Sequence, residues 1–90
     1  MKKRVKIAGT DSDNMRCYSF TSFVSQLDLS SVRGIDGVTR VLIIDDYTVT
    51  VNKAYVFEWS EIEPLILAAM TEMLGWEIDE VEINLQSTPT

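Results

Sequence analysis

Three kinds of side chain in this 90-residue chain are of types that do chemistry: one thiol, several carboxylate groups and a run of aromatic residues. Cys17 is the single cysteine and histidine is absent. A metal cluster or a closed tetrahedral site needs several soft ligands, and no Cys-x-x-Cys spacing supplies them, so no metal ligand set is expected. Flanked by Arg16 and Tyr18, Cys17 reads as a small strand residue facing away from the aromatic side. The carboxylates fall at Asp45–Asp46, at Glu58, Glu61 and Glu63, and at Asp79, Glu80 and Glu82. The first pair suits a turn and the second group the start of a helix, where negative charge complements the helix dipole. The third lacks the Asp-x-Asp-x-Asp-Gly spacing that wraps a calcium ion. Gly34 and Gly37 stand apart and form no phosphate cradle. No catalytic residue and no cofactor are expected. What remains is the aromatic segment Ala54-Tyr-Val-Phe-Glu-Trp59, whose Tyr55, Phe57, Glu58 and Trp59 form the candidate partner-binding surface, with Trp76 as a second possible anchor.

Charge narrows the class of partner. The net charge is −6, but residues 1–44 carry seven basic and four acidic side chains, whereas residues 45–90 carry one basic and ten acidic. An acidic half repels phosphate backbones and steers basic proteins toward it, so Glu61, Glu72 and Glu82 join the candidate contact residues, with a basic protein surface as the partner and nucleic acid excluded. The cluster Lys2, Lys3, Arg4 and Lys6 has no aromatic interleaving and reads as a solvated terminus. No apolar run approaches the roughly 20 residues of a membrane span, and the basic start lacks the apolar stretch of a signal peptide. With a lone cysteine besides, the expectation is a cytoplasmic monomer or weak dimer.

The elements that must position these residues follow from periodicity. Val5 and Ile7 alternate with charged neighbours, giving a first strand. The segment Gly9–Asn14 is a turn by composition, and Tyr18, Phe20 and Val24 share one face of a second strand running from Met15 to about Val24, with a helix from Ser22 as the competing reading. Leu29, Val32 and Ile35 recur behind Asp28 or Ser30 as caps of a short helix. The apolar run Val38–Ile44 predicts a strand buried on both faces. Asp45–Asp46 turns it into Tyr47–Lys53, where Tyr47, Val49 and Val51 alternate with polar residues. Ser60 and Glu63 predict a capping box, with Pro64 in the first turn and packed on Trp59. Ile62, Leu65, Ile66, Ala69, Met70, Met73 and Leu74 trace one apolar face up to Gly75. Val81, Ile83 and Leu85 then alternate as a last strand. The expected fold is an α+β two-layer sandwich, a largely antiparallel sheet with two helices on one face in the order ββαββαβ; a helical second segment would give the ferredoxin-like βαββαβ. Residues 1–85 form one domain and residues 86–90 a frayed tail.

Residues Ile35–Met70 also resemble the amino-terminal domain of the NifU/Nfu iron–sulfur scaffold family. Gly37-Val38 is similar to the family's Gly-Val turn, Asp46-Tyr47 to its Asp-aromatic pair, and Lys53 to the lysine closing its strand. Trp59, Pro64 and Ala69 are similar to its helix start, and Thr10 and Asn14 to its Thr-Pro-Asn-Pro-Asn turn, here without the prolines. The connection from the second strand to the first helix is shorter than in the family, and the segment after Gly75 is additional. The family's cluster chemistry resides in a separate Cys-x-x-Cys domain, a motif missing from this sequence. The resemblance implies a non-catalytic protein-interaction domain serving iron–sulfur cluster assembly or delivery. The charge pattern and small size alone imply a different class, a stand-alone acidic inhibitor of the phage or mobile-element type that occludes a basic surface.

Overall fold

The computed structural model describes residues 3–10, 12–75 and 77–84. Its elements are β1 (Arg4–Gly9), β2 (Met15–Phe20), α1 (Ser30–Arg33), β3 (Val38–Asp45), β4 (Thr48–Lys53), α2 (Trp59–Leu74) and β5 (Glu80–Asn84). This is the α+β order ββαββαβ, and Thr21–Leu29 contains no helix, so the ferredoxin-like alternative does not apply. The five strands lie in the order β3-β4-β2-β1-β5; every pairing is antiparallel except β1 with β5.

Register decides which side chains meet. Val5 pairs with Phe20, Ile7 with Tyr18, Tyr18 with Val49, and Val51 with Val41, so one face of the sheet carries a continuous apolar set. Leu29, Val32, Ile62, Ile66 and Met70 complete the core over that face, bringing both helices to the same side. The opposite face holds Cys17, Ser19, Thr48 and Thr50, with the hydroxyls of Ser19 and Thr48 hydrogen-bonded at 3.0 Å. Cys17 is half-buried there, which pushes its thiol pKa up.

Several sequence expectations need correction. The second strand stops at Phe20; Val24 is still fully buried, and its amide donates to the carbonyl of Asp46. β3 is an edge strand rather than a strand buried on both faces, since Val41 is buried while Leu42 and Ile44 are exposed, and register shifts at Val38/Arg40 and Ile43/Asp45 break its pairing. In α2 the cap is Glu58, not Ser60: Glu58 has extended backbone and Glu61, three residues on, accepts its amide at 3.1 Å, closing the capping box. That places Trp59 at the first helical position and Pro64 at the sixth, beyond the first turn. Pro64 therefore removes the amide bond to the carbonyl of Ser60, an exposed residue whose carbonyl water can satisfy. Leu65 leaves the apolar stripe and is exposed. α2 ends at Gly75 in the left-handed conformation, its amide donating to Thr71. β5 puts Val81 and Ile83 on the core face across from Val5 and Ile7, yet both stay about half exposed, with an open groove between Val81 and Leu67, Ala68 and Thr71 of α2. Leu85, residues 86–90 and Trp76 lie outside the described residues.

Candidate functional site

The site is built where the end of β4 meets the start of β2 and α2 comes down on both. β4 alternates Val49, Val51 and Lys53 toward the helices, and β2 alternates Arg16, Tyr18 and Phe20 the same way. Two long cations thus enter the helix-covered side of the sheet at neighbouring positions, where the next residues in phase are apolar. Trp59, the first residue of α2, lies against both: its ring centre is 4.8 Å from the Arg16 guanidinium carbon and 5.7 Å from Lys53 Nζ, within cation–π range. Its indole N–H donates to the carbonyl of Asp13 at 2.7 Å, so the ring is fixed at both its face and its edge.

The two cations are satisfied differently. Arg16 Nη1 donates to Glu63 Oε2, and Tyr18 Oη donates to the same oxygen at 2.9 Å, tying β2 to the second turn of α2. Burial, and then the adjacent Glu63 carboxylate, hold the Tyr18 phenol well above its ordinary pKa. Lys53 is only 8% exposed and donates to two neutral oxygens, Asn14 Oδ1 at 3.0 Å and the Ala54 carbonyl at 3.4 Å. Among the described residues no carboxylate pairs with it. An ammonium so enclosed without a counter-charge is costly, and the Trp59 face offsets part of that cost.

Thr10, Ser12 and Asn14 shape the near wall. The Thr10 hydroxyl accepts from the Ser12 amide and lies 3.1 Å from the Met15 carbonyl, while the Lys53 amide donates to the Asn14 carbonyl at 2.8 Å. Between this turn and the start of α2 is a cleft of about 530 Å³, lined by Gly9, Thr10, Asn14, Arg16, Lys53 and Trp59, with Asp13, Tyr55 and Glu58 also on its wall.

The residues singled out from the sequence divide between this cleft and other surfaces. Tyr55 is 80% exposed and Val56 65% exposed at the tip of the loop joining β4 to α2. Phe57 turns inward against Gly37 and the core, Glu58 is exposed, and Trp59 is buried as a wall of the cleft rather than presented as a free anchor. Glu61, Glu72 and Glu82 are all exposed, but they do not converge: Glu61 is committed to the capping box, Glu72 lies near the far end of α2 and Glu82 on β5. Sequence reasoning gave Arg16 no role and took Asn14 and Lys53 only as points of resemblance. The signal was present, since Arg16 and Lys53 each stand in phase with the apolar residues of a strand. Among the described residues no group of three or more acidic or thiol side chains is placed to hold a metal ion, and no helix is long and apolar enough to cross a membrane. No family model, curated protein or solved structure matches this chain.

Proposed function

We propose that this chain is a non-catalytic protein-interaction domain that meets its partner through the loop from Ala54 to Glu58, with the acidic residues of α2 and β5 steering a basic partner surface toward it. The observation that carries this reading is the exposure of Tyr55 and Val56, adjacent apolar residues held out at 80% and 65% from a loop whose next aromatic, Phe57, is anchored inside. Such a tip offers contact area at little ordering cost, because its base is already fixed. Glu63, the carboxylate paired with Arg16, is engaged by both Arg16 and Tyr18, so its role reads as structural rather than as acid or base. The resemblance to the NifU/Nfu amino-terminal domain supports a partner within iron–sulfur cluster assembly or delivery.

A photo-crosslinking amino acid in place of Tyr55, with the same probe at exposed Lys6 as control, tests the surface. The reading expects one basic protein captured at position 55 and not at position 6, with a capture yield that falls as salt rises. Equal capture from both positions refutes the loop as the contact. A partner outside iron–sulfur metabolism whose activity the domain blocks would replace the accessory role with that of an acidic inhibitor.

A further inference from the structure

The cleft has more hydrogen-bond donors than the described residues accept. Arg16 brings five N–H groups, and its one hydrogen-bonded partner among the described residues is Glu63. Lys53 brings three, two of which go to Asn14 and Ala54. Because an ammonium only donates, the atom of Asn14 facing it must be the amide oxygen, which turns the Asn14 NH₂ group elsewhere with its own two donors. All three residues line the same cleft. Its volume of about 530 Å³ lies in the range of about 300–1,000 Å³ typical of small-ligand sites.

The charges select the ligand. A planar fork from Arg16 and a point charge from Lys53 suit an oxyanion, and among the described residues no carboxylate pairs with the enclosed Lys53 ammonium, so such a group would supply its counter-charge. Among the described residues two carboxylates, Asp13 and Glu58, stand on the wall of the same cleft and penalise a dianion. They favour a singly charged acid whose remaining body is neutral or cationic. We propose that this cleft binds a carboxylate on such a body, either a free α-amino acid or the carboxyl end of a peptide chain, with Lys53, Arg16 and Asn14 donating to the carboxylate and Trp59 forming the apolar wall. This holds whether or not the loop tip contacts a protein.

Backbone and indole N–H resonances of the isotopically labelled full chain, titrated at fixed ionic strength, provide the test. The probes are the peptide Gly-Gly-Ser-Gly-Arg with a free carboxyl end, its amidated twin, free L-arginine, and inorganic phosphate. The free-carboxyl peptide should shift the Trp59 indole N–H and the amides of residues 13–16 and 53–59 saturably, and amidation should weaken it at least about 10-fold. Equal binding by free L-arginine assigns a free amino acid as the source, and binding of the peptide alone assigns a chain end. Lys53→Met should weaken the ligand by about 10-fold or more, while Lys53→Arg stays within about 3-fold. If the amidated twin binds as well as the acid, or phosphate binds the same residues more tightly than either carboxylate, the proposal fails. The wild-type comparison needs no variant to fold, and undiminished binding by a folded Lys53→Met protein also overturns it.

Discussion

Gly37 gives the sharpest test of how the contact loop is held. Its φ is +97°, and a Cβ added there would lie 2.7 Å from Phe57 Cγ and 2.8 Å from Ile62 Cδ1. Its carbonyl accepts the Ala54 amide at 2.8 Å, so this one residue supports the loop from below by backbone and by close approach. Gly75 is the natural control, since its φ is +77° but an added Cβ meets nothing within 4 Å. Gly75→Ala should therefore cost only the left-handed backbone penalty, about 1–2 kcal/mol. Gly37→Ala adds overpacking of about 1–3 kcal/mol against ring and methyl carbons that the neighbouring core holds in place, for a total of about 2–5 kcal/mol. Urea unfolding followed by circular dichroism reads both losses, and the two midpoints should separate by on the order of 1 M. Amide shifts over residues 54–58 should move in Gly37→Ala and stay in Gly75→Ala. Equal losses from the two substitutions would show that Phe57 and Ile62 do not seat on Gly37, and the loop would lose its stated support.

Other expectations follow from the same geometry. Glu63→Gln should destabilise by about 1–3 kcal/mol in urea unfolding, less than a fully buried pair because both Arg16 and Glu63 keep 16% side-chain exposure; a loss under about 0.5 kcal/mol would make the network ornamental. The Tyr18 phenol titrates higher in the folded protein than in the unfolded chain, so its stabilisation is complete below about pH 10 and declines as pH rises beyond that value. Tyr18→Phe should flatten that alkaline decline, and an unchanged slope between pH 9 and pH 11 would contradict it. Cys17 should react with a disulfide reagent several-fold more slowly in the native protein than in urea, because burial raises its thiol pKa; equal rates would mean the open sheet face leaves it unshielded. Glu61→Lys should cost about 1 kcal/mol by breaking the capping box and placing positive charge at a helix start, whereas exposed Glu72→Lys, near the other end of α2, should be neutral or slightly stabilising. Thermal melts that rank the two in the opposite order would refute the cap assignment.

The layering was legible in the sequence where one period held without interruption. Val5 with Ile7, Tyr18 with Phe20, and Val49 with Val51 fixed the inward faces of three strands, and register then brought those faces together. Burial at the margins was not legible, because composition does not say how far a helix extends over a sheet. Val38–Ile44 and the Val81–Ile83 pair are as apolar as central strands, yet β3 and β5 are the two edges. The cap of α2 was misplaced because Ser60 and Glu63 have the same spacing as Glu58 and Glu61, and sequence alone offers the serine as the better cap. Glu63 was thereby assigned to the helix end when it serves Arg16, a partner 47 residues away. Long-range pairs of this kind depend on strand order, which no local pattern encodes.

Strand order also explains why the cleft, the loop and Gly37 behave as one unit. β4 lies between β3 and β2, so its last residue, Lys53, meets Val38 on one side and, through its backbone amide, Asn14 on the other. The chain then has only Ala54–Glu58 in which to rise from the sheet and begin α2, and Trp59 must land directly above the cations it has just left behind. Phe57 fills the space over Gly37 during that rise, which leaves Tyr55 and Val56 at the outer bend. A ligand drawing on Lys53 therefore pulls on the same short segment whose tip is the proposed protein contact. Occupancy of the cleft and affinity at the tip should be linked, and by thermodynamic reciprocity each must alter the other by the same factor.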